Sequence, residues 1–387
     1  MISNFVQEKD NQNPSEQPQN KKFWSKIKDF FKSKKGRIIL VVTVCVIVFG
    51  LTGLQVYNTF FKPDKADSGS QNGNLPDIDK RQAELVVSPL DGTLVEKSRA
   101  NRHPLAVVIE NHPDARPQYG LGSASLVYEA ISEGGITRFL AIYGPGSADK
   151  VGPVRSARTF FIDWLAEFDA FFAHIGGNLD ALDKIKTDKI KDLDQFAVGS
   201  LAYWRVPQVG KATEHTMFSS TLKLYDVAAS KGWDVNSARF TAYQFKEDAK
   251  AGERPVAQTV AVDYSAQEYN VRWLYVPKDN VYSRELAGAA HKDGATGAQL
   301  QAKNVVVIEM QRWYAPTRIN ESGWAMKTIG EGKAKVFQDG KAIEGTWKKT
   351  GRTERTLLYT TSGEQVKFNP GVTWFEIVSP GTAIKVQ

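Results

Sequence analysis

An uninterrupted run without a charged residue, Ile38–Phe61, constrains this chain more than any other feature. Its core, IILVVTVCVIVFGLTGL, is long enough with its flanks to cross a bilayer. A helix is the form in which one isolated segment satisfies its own backbone polar groups there. Eight Lys and Arg lie between Lys21 and Arg37, so the positive-inside rule places the N-terminus in the cytoplasm. Everything after residue 61 is then expected outside. The following stretch, NTFFKPDKADS, has no A-x-A-like cleavage pattern, and Cys45 is preceded by Val44 inside a continuing apolar run. The segment therefore reads as an uncleaved single-pass anchor, neither a cleaved signal nor a lipidation site.

The flanks fit this arrangement. Met1–Asn20 is polar and reads as disordered. In Lys21–Lys35, Phe23, Trp24, Ile27, Phe30 and Phe31 share one face of a helix and lysines the other. Such a helix suits the headgroup layer of an anionic membrane, the alternative being a soluble basic helix. Residues 1–37 thus form a cytoplasmic tail and 38–61 the anchor. Residues 62–87 form a flexible Gly/Ser/Asn/Asp/Pro stalk, and Ser88–Lys97 reads as a small hairpin with an Asp-Gly turn.

The formal charge of +7 belongs mostly to the tail. Residues 1–37 hold nine Lys and Arg against four acids, which leaves +2 for the rest of the 387 residues. The main body has no nucleic-acid footprint. With Cys45 the single cysteine, nothing downstream can form a disulfide or a thiolate metal site.

Two folded stretches follow. Residues 88–252 alternate strand-like and helix-like patterns and predict an α/β domain. Its strands are Leu105–Ile109, Thr137–Tyr143 and Ala170–Ile175. Its helices run from Ser123 to about Glu133, ended by Gly134-Gly135, from Ser156 or Thr159 to about Phe168, over LDALDKIK, and near Ser220–Lys231. Residues 253–387 carry short β-type runs (TVAVDY, VRWLYVP, NVVVIEM, KAKVFQDG, GTWKK, TLLYTT, VTWFEIV) and predict a β-rich domain, a sandwich or small barrel.

Polar residues bunch where the apolar runs of the first domain stop, the place where ligands sit in α/β sheets. Glu110, Glu129 and Glu133 are the candidate catalytic carboxylates. Paired acids are the minimum for glycan cleavage, although an i,i+4 pair such as Glu129 and Glu133 on a helix is also what a solvated face presents. Arg138, Arg155 and Arg158, with Gly176 and Gly177 opening a helix, could bind an anion, or could pair with Asp163 or Glu167 structurally. Asn111, His112 and His174, at strand ends, complete the candidate ligand-binding set. Glu110, Arg155, Arg158 and His174 are expected to converge on one cleft. His291 and Asp293, after Arg284, form a second polar knot, read as an interdomain contact. HExxH and other metal spacings, GxSxG and the P-loop are absent, so no metal or cofactor is implied.

These residues resemble the YerB-like family of bacterial envelope proteins, which pairs an N- and a C-terminal domain of unknown function. The resemblance rests on Val107–Asn111 with Arg116-Pro117, Val127–Ala130, Glu133–Phe139 (EGGITRF), Gly152–Arg158 (GPVRSAR) and His174–Gly177. In the second half it rests on Tyr282-Ser-Arg284, His291-Lys-Asp293, Asn304–Val307, Gly345–Lys348 and Pro370-Gly371. It covers about residues 88–380 and implies an extracytoplasmic, membrane-tethered protein with an α/β domain before a β-rich one. It brings no established activity and no catalytic residue. This chain departs from the family's lipoproteins in lacking a lipidation cysteine. A looser similarity of arrangement, one anchor helix and arginines after a strand, links it to LytR-CpsA-Psr phosphotransferases.

The expected function is a membrane-anchored envelope protein that binds an anionic or glycan wall ligand or an envelope partner. The alternatives are a wall-glycan hydrolase, a LytR-CpsA-Psr-like phosphotransferase, or a scaffold of membrane complexes.

Overall fold

The computed structural model describes residues 84–387 except 238 and 321–322. The tail, the run Ile38–Phe61 and most of the stalk lie outside the described residues. Among those described, no helix is long and apolar enough to cross a membrane.

Strands dominate. The first half supplies β1 (Leu105–Glu110), β2 (Leu126–Glu133), β3 (Ile136–Tyr143), β4 (Phe171–His174) and β5 (Asp192–Asp194). The second half supplies β6 (Thr259–Asp263), β7 (Asn270–Val276), β8 (Val281–Leu286), β9 (Asn304–Glu309), β10 (Gly330–Gln338), β11 (Lys341–Lys349), β12 (Leu357–Thr360), β13 (Thr373–Val378) and β14 (Ile384–Val386). The second half is β-rich, as expected. The helices longer than a turn and a half are α1 (Thr159–Leu165), α2 (Leu179–Thr187) and α3 (Thr221–Ser230).

One ten-stranded sheet runs through both halves in the order β12-β11-β10-β9-β13-β2-β3-β1-β4-β5. Near its middle, β13 from the end of the chain pairs in parallel with β9 on one side and with β2 on the other. Strands β6, β7, β8 and β14 belong to a separate six-stranded sheet.

The large sheet is covered on both faces, so its central strands read as unbroken apolar runs without alternation. On one face Val107, Ile109, Val127, Phe139 and Trp374 pack with Val260, Val262 and Trp273 of the second sheet and Leu224 of α3. On the other, Val108, Tyr128 and Phe375 pack with Phe160, Phe161 and Trp164 of α1 and Ala181 of α2. Burying Phe160 and Phe161 contributes roughly 1.5–3 kcal/mol each.

One sequence expectation is corrected. Residues 126–133 form strand β2 where a helix from Ser123 was expected. Double-sided burial erased the alternation that marks a strand. Gly134 and Gly135, taken as a helix stop, have φ values of 53° and 83° and make the tight turn from β2 to β3. Left-handed glycines end helices and make hairpin turns of the primed types equally well.

Candidate functional site

The segment Gly152–Arg158 crosses the carboxyl ends of β1 and β4. The Glu110 amide donates to Pro153 O (2.9 Å), and the Arg155 amide to Val108 O (2.9 Å). On the far side the Ile175 amide donates to Arg155 O (3.1 Å) and the Ala157 amide to Gly176 O (2.9 Å). Gly152 permits this crossing. Its φ is +133°, and a Cβ there would stand 2.7 Å from Val154 N and 3.0 Å from Met217 O.

This crossing sets Arg155 over the tip of β1, where its Nε donates to Glu110 Oε1 at 3.0 Å. The other oxygen of Glu110 accepts from His215 Nδ1 at 2.8 Å. The rings of His215 and His112 stack, 5.0 Å between centroids and 9° from parallel. Glu110 is buried, Arg155 partly open, and His112 about one-third exposed. His215 comes from a loop 105 residues beyond Glu110, a distance over which no local spacing signals a partnership.

Glu133 occupies a fork of arginines. Its two oxygens accept from Arg138 and Arg158 in short ion-paired hydrogen bonds. Burial alone would raise the Glu133 carboxyl, but the Arg138 and Arg158 charges outweigh it and hold it below the usual range. Arg138 lies almost wholly buried beneath; burial first, then the neighbouring Arg158 charge, draws it down to about 9. Among the described residues its Nε has no hydrogen-bond partner.

Glu129 does not share this position. A bulge between Ile131 and Glu133 shifts the register of β2 against β3. Residues four apart on a regular strand face the same way, and one extra residue sends Glu133 to the opposite face. Glu129 therefore points into the layer between the two sheets. There it accepts from Arg284 in a short ion pair, from Thr137 Oγ1 (2.7 Å) and from Asn111 Nδ2 (3.2 Å). The same Arg284 donates to Glu376 Oε1 (2.7 Å) and, through Nε, to His291 Nδ1 (2.9 Å). His291 Nε2 then donates to Gln118 Oε1 (2.9 Å), and Gln118 Nε2 to Asn111 Oδ1 (2.8 Å). Burial, followed by the Arg284 charge, pushes His291 well below its usual range, in keeping with a neutral ring that accepts at Nδ1 and donates at Nε2. Burial lifts the Glu129 carboxyl to about 7, with Arg284 opposing and Glu376 adding to the rise. Both side chains of the Arg284–Glu129 pair are fully buried. Arg284, His291 and Asp293, whose Oδ2 accepts from the Gly122 amide (2.9 Å), join the second half of the chain to the first.

The remaining candidates are committed elsewhere. His174 is buried, its ring nitrogens on Gly176 O (2.8 Å) and Asp192 Oδ1 (2.9 Å). His112 thus partners His215 in place of His174. The Gly176 amide donates to Asp194 Oδ1 (2.8 Å), and Asn178 caps α2 by accepting from the Ala181 amide (3.3 Å). A Cβ on Gly177 would meet Ala157 Cβ and O at 3.2 Å, so this glycine lets the crossing segment pass. Sequence reasoning did not bring His215 to this site. A groove of about 860 Å³ is lined by Asp293 of this polar network together with Gly120, Lys150, Leu300 and Lys303 among others.

This architecture has known counterparts. Residues 90–234 match the family model "Protein of unknown function (DUF3048) N-terminal domain", and residues 260–375 match its C-terminal counterpart. The chain is 31% identical over 315 residues to "Putative lipoprotein YerB" of Bacillus subtilis, covering 80% of this chain and 90% of that protein. The chain belongs to the YerB-like family. The crystal structure of YerB from Bacillus subtilis superposes with a TM-score of 0.69 at 28% identity, over 78% of this chain and 99% of that one. The family models describe domains of unknown function, so membership supplies no activity, substrate or catalytic residue. The B. subtilis relative bears the name of a lipoprotein.

Proposed function

We propose that this protein is a single-pass, membrane-anchored envelope module whose folded part lies outside the cytoplasm and binds an anionic ligand at the mouth formed by Arg155, Arg158 and Glu133. The charge-free run Ile38–Phe61 and its basic flank support the topology. One observation carries the binding reading: Arg138 and Arg158 already clamp a carboxylate, that of Glu133, which is itself about one-third exposed. A fork that holds one carboxylate from within the chain has the geometry to hold another, or a phosphate, from outside. Arg155 stands beside it and is also partly exposed. Wall polymers and muropeptides bear such groups.

The glycan-hydrolase reading draws less support. Cleavage needs a carboxylic acid that stays protonated and reaches the substrate. Glu129 meets the first condition near neutral pH but is sealed beneath Arg284, whereas Glu133 is held in its ionised form by two arginines.

The test is a thermal shift of the full chain with pyrophosphate and with a muropeptide carboxylate. Stabilisation that disappears in Arg155→Ala and Arg158→Ala is the expected result. Glu133→Gln, by loosening the internal occupant, should strengthen it. Equal shifts in wild type and both arginine variants would remove the proposal.

A further inference from the structure

Beside the arginine fork, and built from different side chains, lies a second cluster. One ring nitrogen of His112, one of His215 and a carboxylate oxygen of Asp114 all lie within 4.8 Å of one another. We propose that these three residues bind a divalent transition-metal ion, zinc being the first candidate, with Glu110 holding His215 from behind.

The donor set comes first. Two imidazoles and one carboxylate suit zinc and its neighbours in the first transition row, whereas magnesium and calcium prefer all-oxygen sites. Ligand atoms on an ion at about 2.1 Å stand roughly 3.4 Å apart in a tetrahedral site. The cluster therefore needs to close by up to about 1.4 Å at its widest. Asp114 can supply that movement, because its side chain is 66% exposed.

The support behind the cluster is already in place. The Glu110 carboxylate accepts from His215 Nδ1 at 2.8 Å, which leaves the lone pair on Nε2, the tautomer a metal requires. A carboxylate behind a ligating histidine is the usual outer-shell partner, fixing the ring and making it more basic. Glu110 is itself fixed by Arg155 on its other oxygen, 3.0 Å away. The ring of His112 lies parallel to that of His215, so the two present their edges side by side. His112 Nδ1 now accepts from the Asp114 amide at 3.2 Å, a long bond that costs little to exchange for a metal.

Charge favours a cation. Asp114 adds one negative charge at the rim, and the exposed Glu214 precedes His215 in the chain. Arg155 is the opposing charge and is paired with Glu110. A small ion can enter from solvent on the Asp114 side.

The test uses the full chain without an affinity tag, stripped with a chelator and titrated calorimetrically with zinc. Cobalt(II) serves as a spectroscopic probe of the ligand set. One saturable equivalent of zinc is expected, together with cobalt absorption bands showing nitrogen and oxygen ligation in a low-coordinate site. His112→Ala and Asp114→Ala, both on the exposed side and tolerable for the fold, should each weaken zinc binding tenfold or more. Glu110→Gln should weaken it by about tenfold, as loss of an outer-shell partner does. Absence of saturable binding, or zinc binding unchanged in the His112→Ala/Asp114→Ala double variant, would overturn the site. So would magnesium competing on equal terms. A failed pyrophosphate shift would leave this result untouched, because the metal is read directly.

Discussion

Arg284 lies between two carboxylates, and its surroundings decide what each can do. Burial opposes the Arg284 charge, yet Glu129 and Glu376 outweigh it and hold the guanidinium above its ordinary range. Trp374 lies 4.4 Å from the guanidinium carbon and Trp273 5.1 Å, so the charge also faces aromatic rings. Burial raises the Glu129 carboxyl to about 7 against the Arg284 charge, and the second buried carboxylate, Glu376, adds to the rise. The ordinary value for Glu129 is 4.5, so between about pH 4.5 and 7 the folded chain binds more proton at this site than the unfolded chain. Stability from this group is complete below pH 4.5, falls as pH rises towards 7, and is level above. The fall amounts to at most on the order of 3 kcal/mol. Glu129→Gln should therefore show a shallower decline in unfolding free energy between pH 5 and 8 than the wild type. Parallel declines, measured in urea at several pH values, would show that the carboxyl does not titrate in that window.

At the scale of elements, the β2–β3 hairpin does most to shape the candidate site. Its bulge separates Glu129 from Glu133, and its two-glycine turn brings β3 back so that Arg138 lies next to Glu133. Gly135, at φ +83°, has a Cβ position in ordinary contact with Ser265, so Gly135→Ala meets backbone strain with little clash. A loss of about 1–2 kcal/mol is expected, read as a lower denaturant midpoint at unchanged slope. An unchanged midpoint would mean that the turn is free to relax. Much of this level was legible beforehand: β1, β3 and β4, helix α2 after Gly176-Gly177, α1, α3 and the C-terminal strands follow their apolar runs and turn residues. Strand β2 was not legible, because burial on both faces hides a strand's period and a glycine pair ends either element. The bulge is likewise silent, being a register between two strands and not a pattern within one. At the site, strand-end logic found Glu110 and Arg155, and only folding could bring His215 to them.

For the whole molecule, the two halves matched by separate family models share a single ten-stranded sheet. Buried polar ties repeat the connection: Lys349 Nζ donates to Glu167 Oε1 (2.9 Å) with both side chains fully buried, and Glu167 Oε2 accepts from the Thr356 amide (2.9 Å). Removing one partner of such a buried pair is expected to cost about 3–5 kcal/mol. A chain ending at Val372 would lose β13 and leave β2 and β9 without the neighbour between them. It should show no cooperative melting and no near-ultraviolet circular dichroism from Trp164, far away in sequence in α1. A sharp transition in that truncated chain would show that the first half stands alone.

The position of β13 also bears on how the molecule comes into being. A ribosome delivers the chain from its amino end, so β2 emerges some two hundred and forty residues before the strand that must lie against it. Throughout that interval a greasy ribbon with unsatisfied amides waits for a late arrival, open to any other chain that offers a matching edge. The central sheet therefore cannot close until β13 has emerged, and the growing polypeptide needs shelter until then.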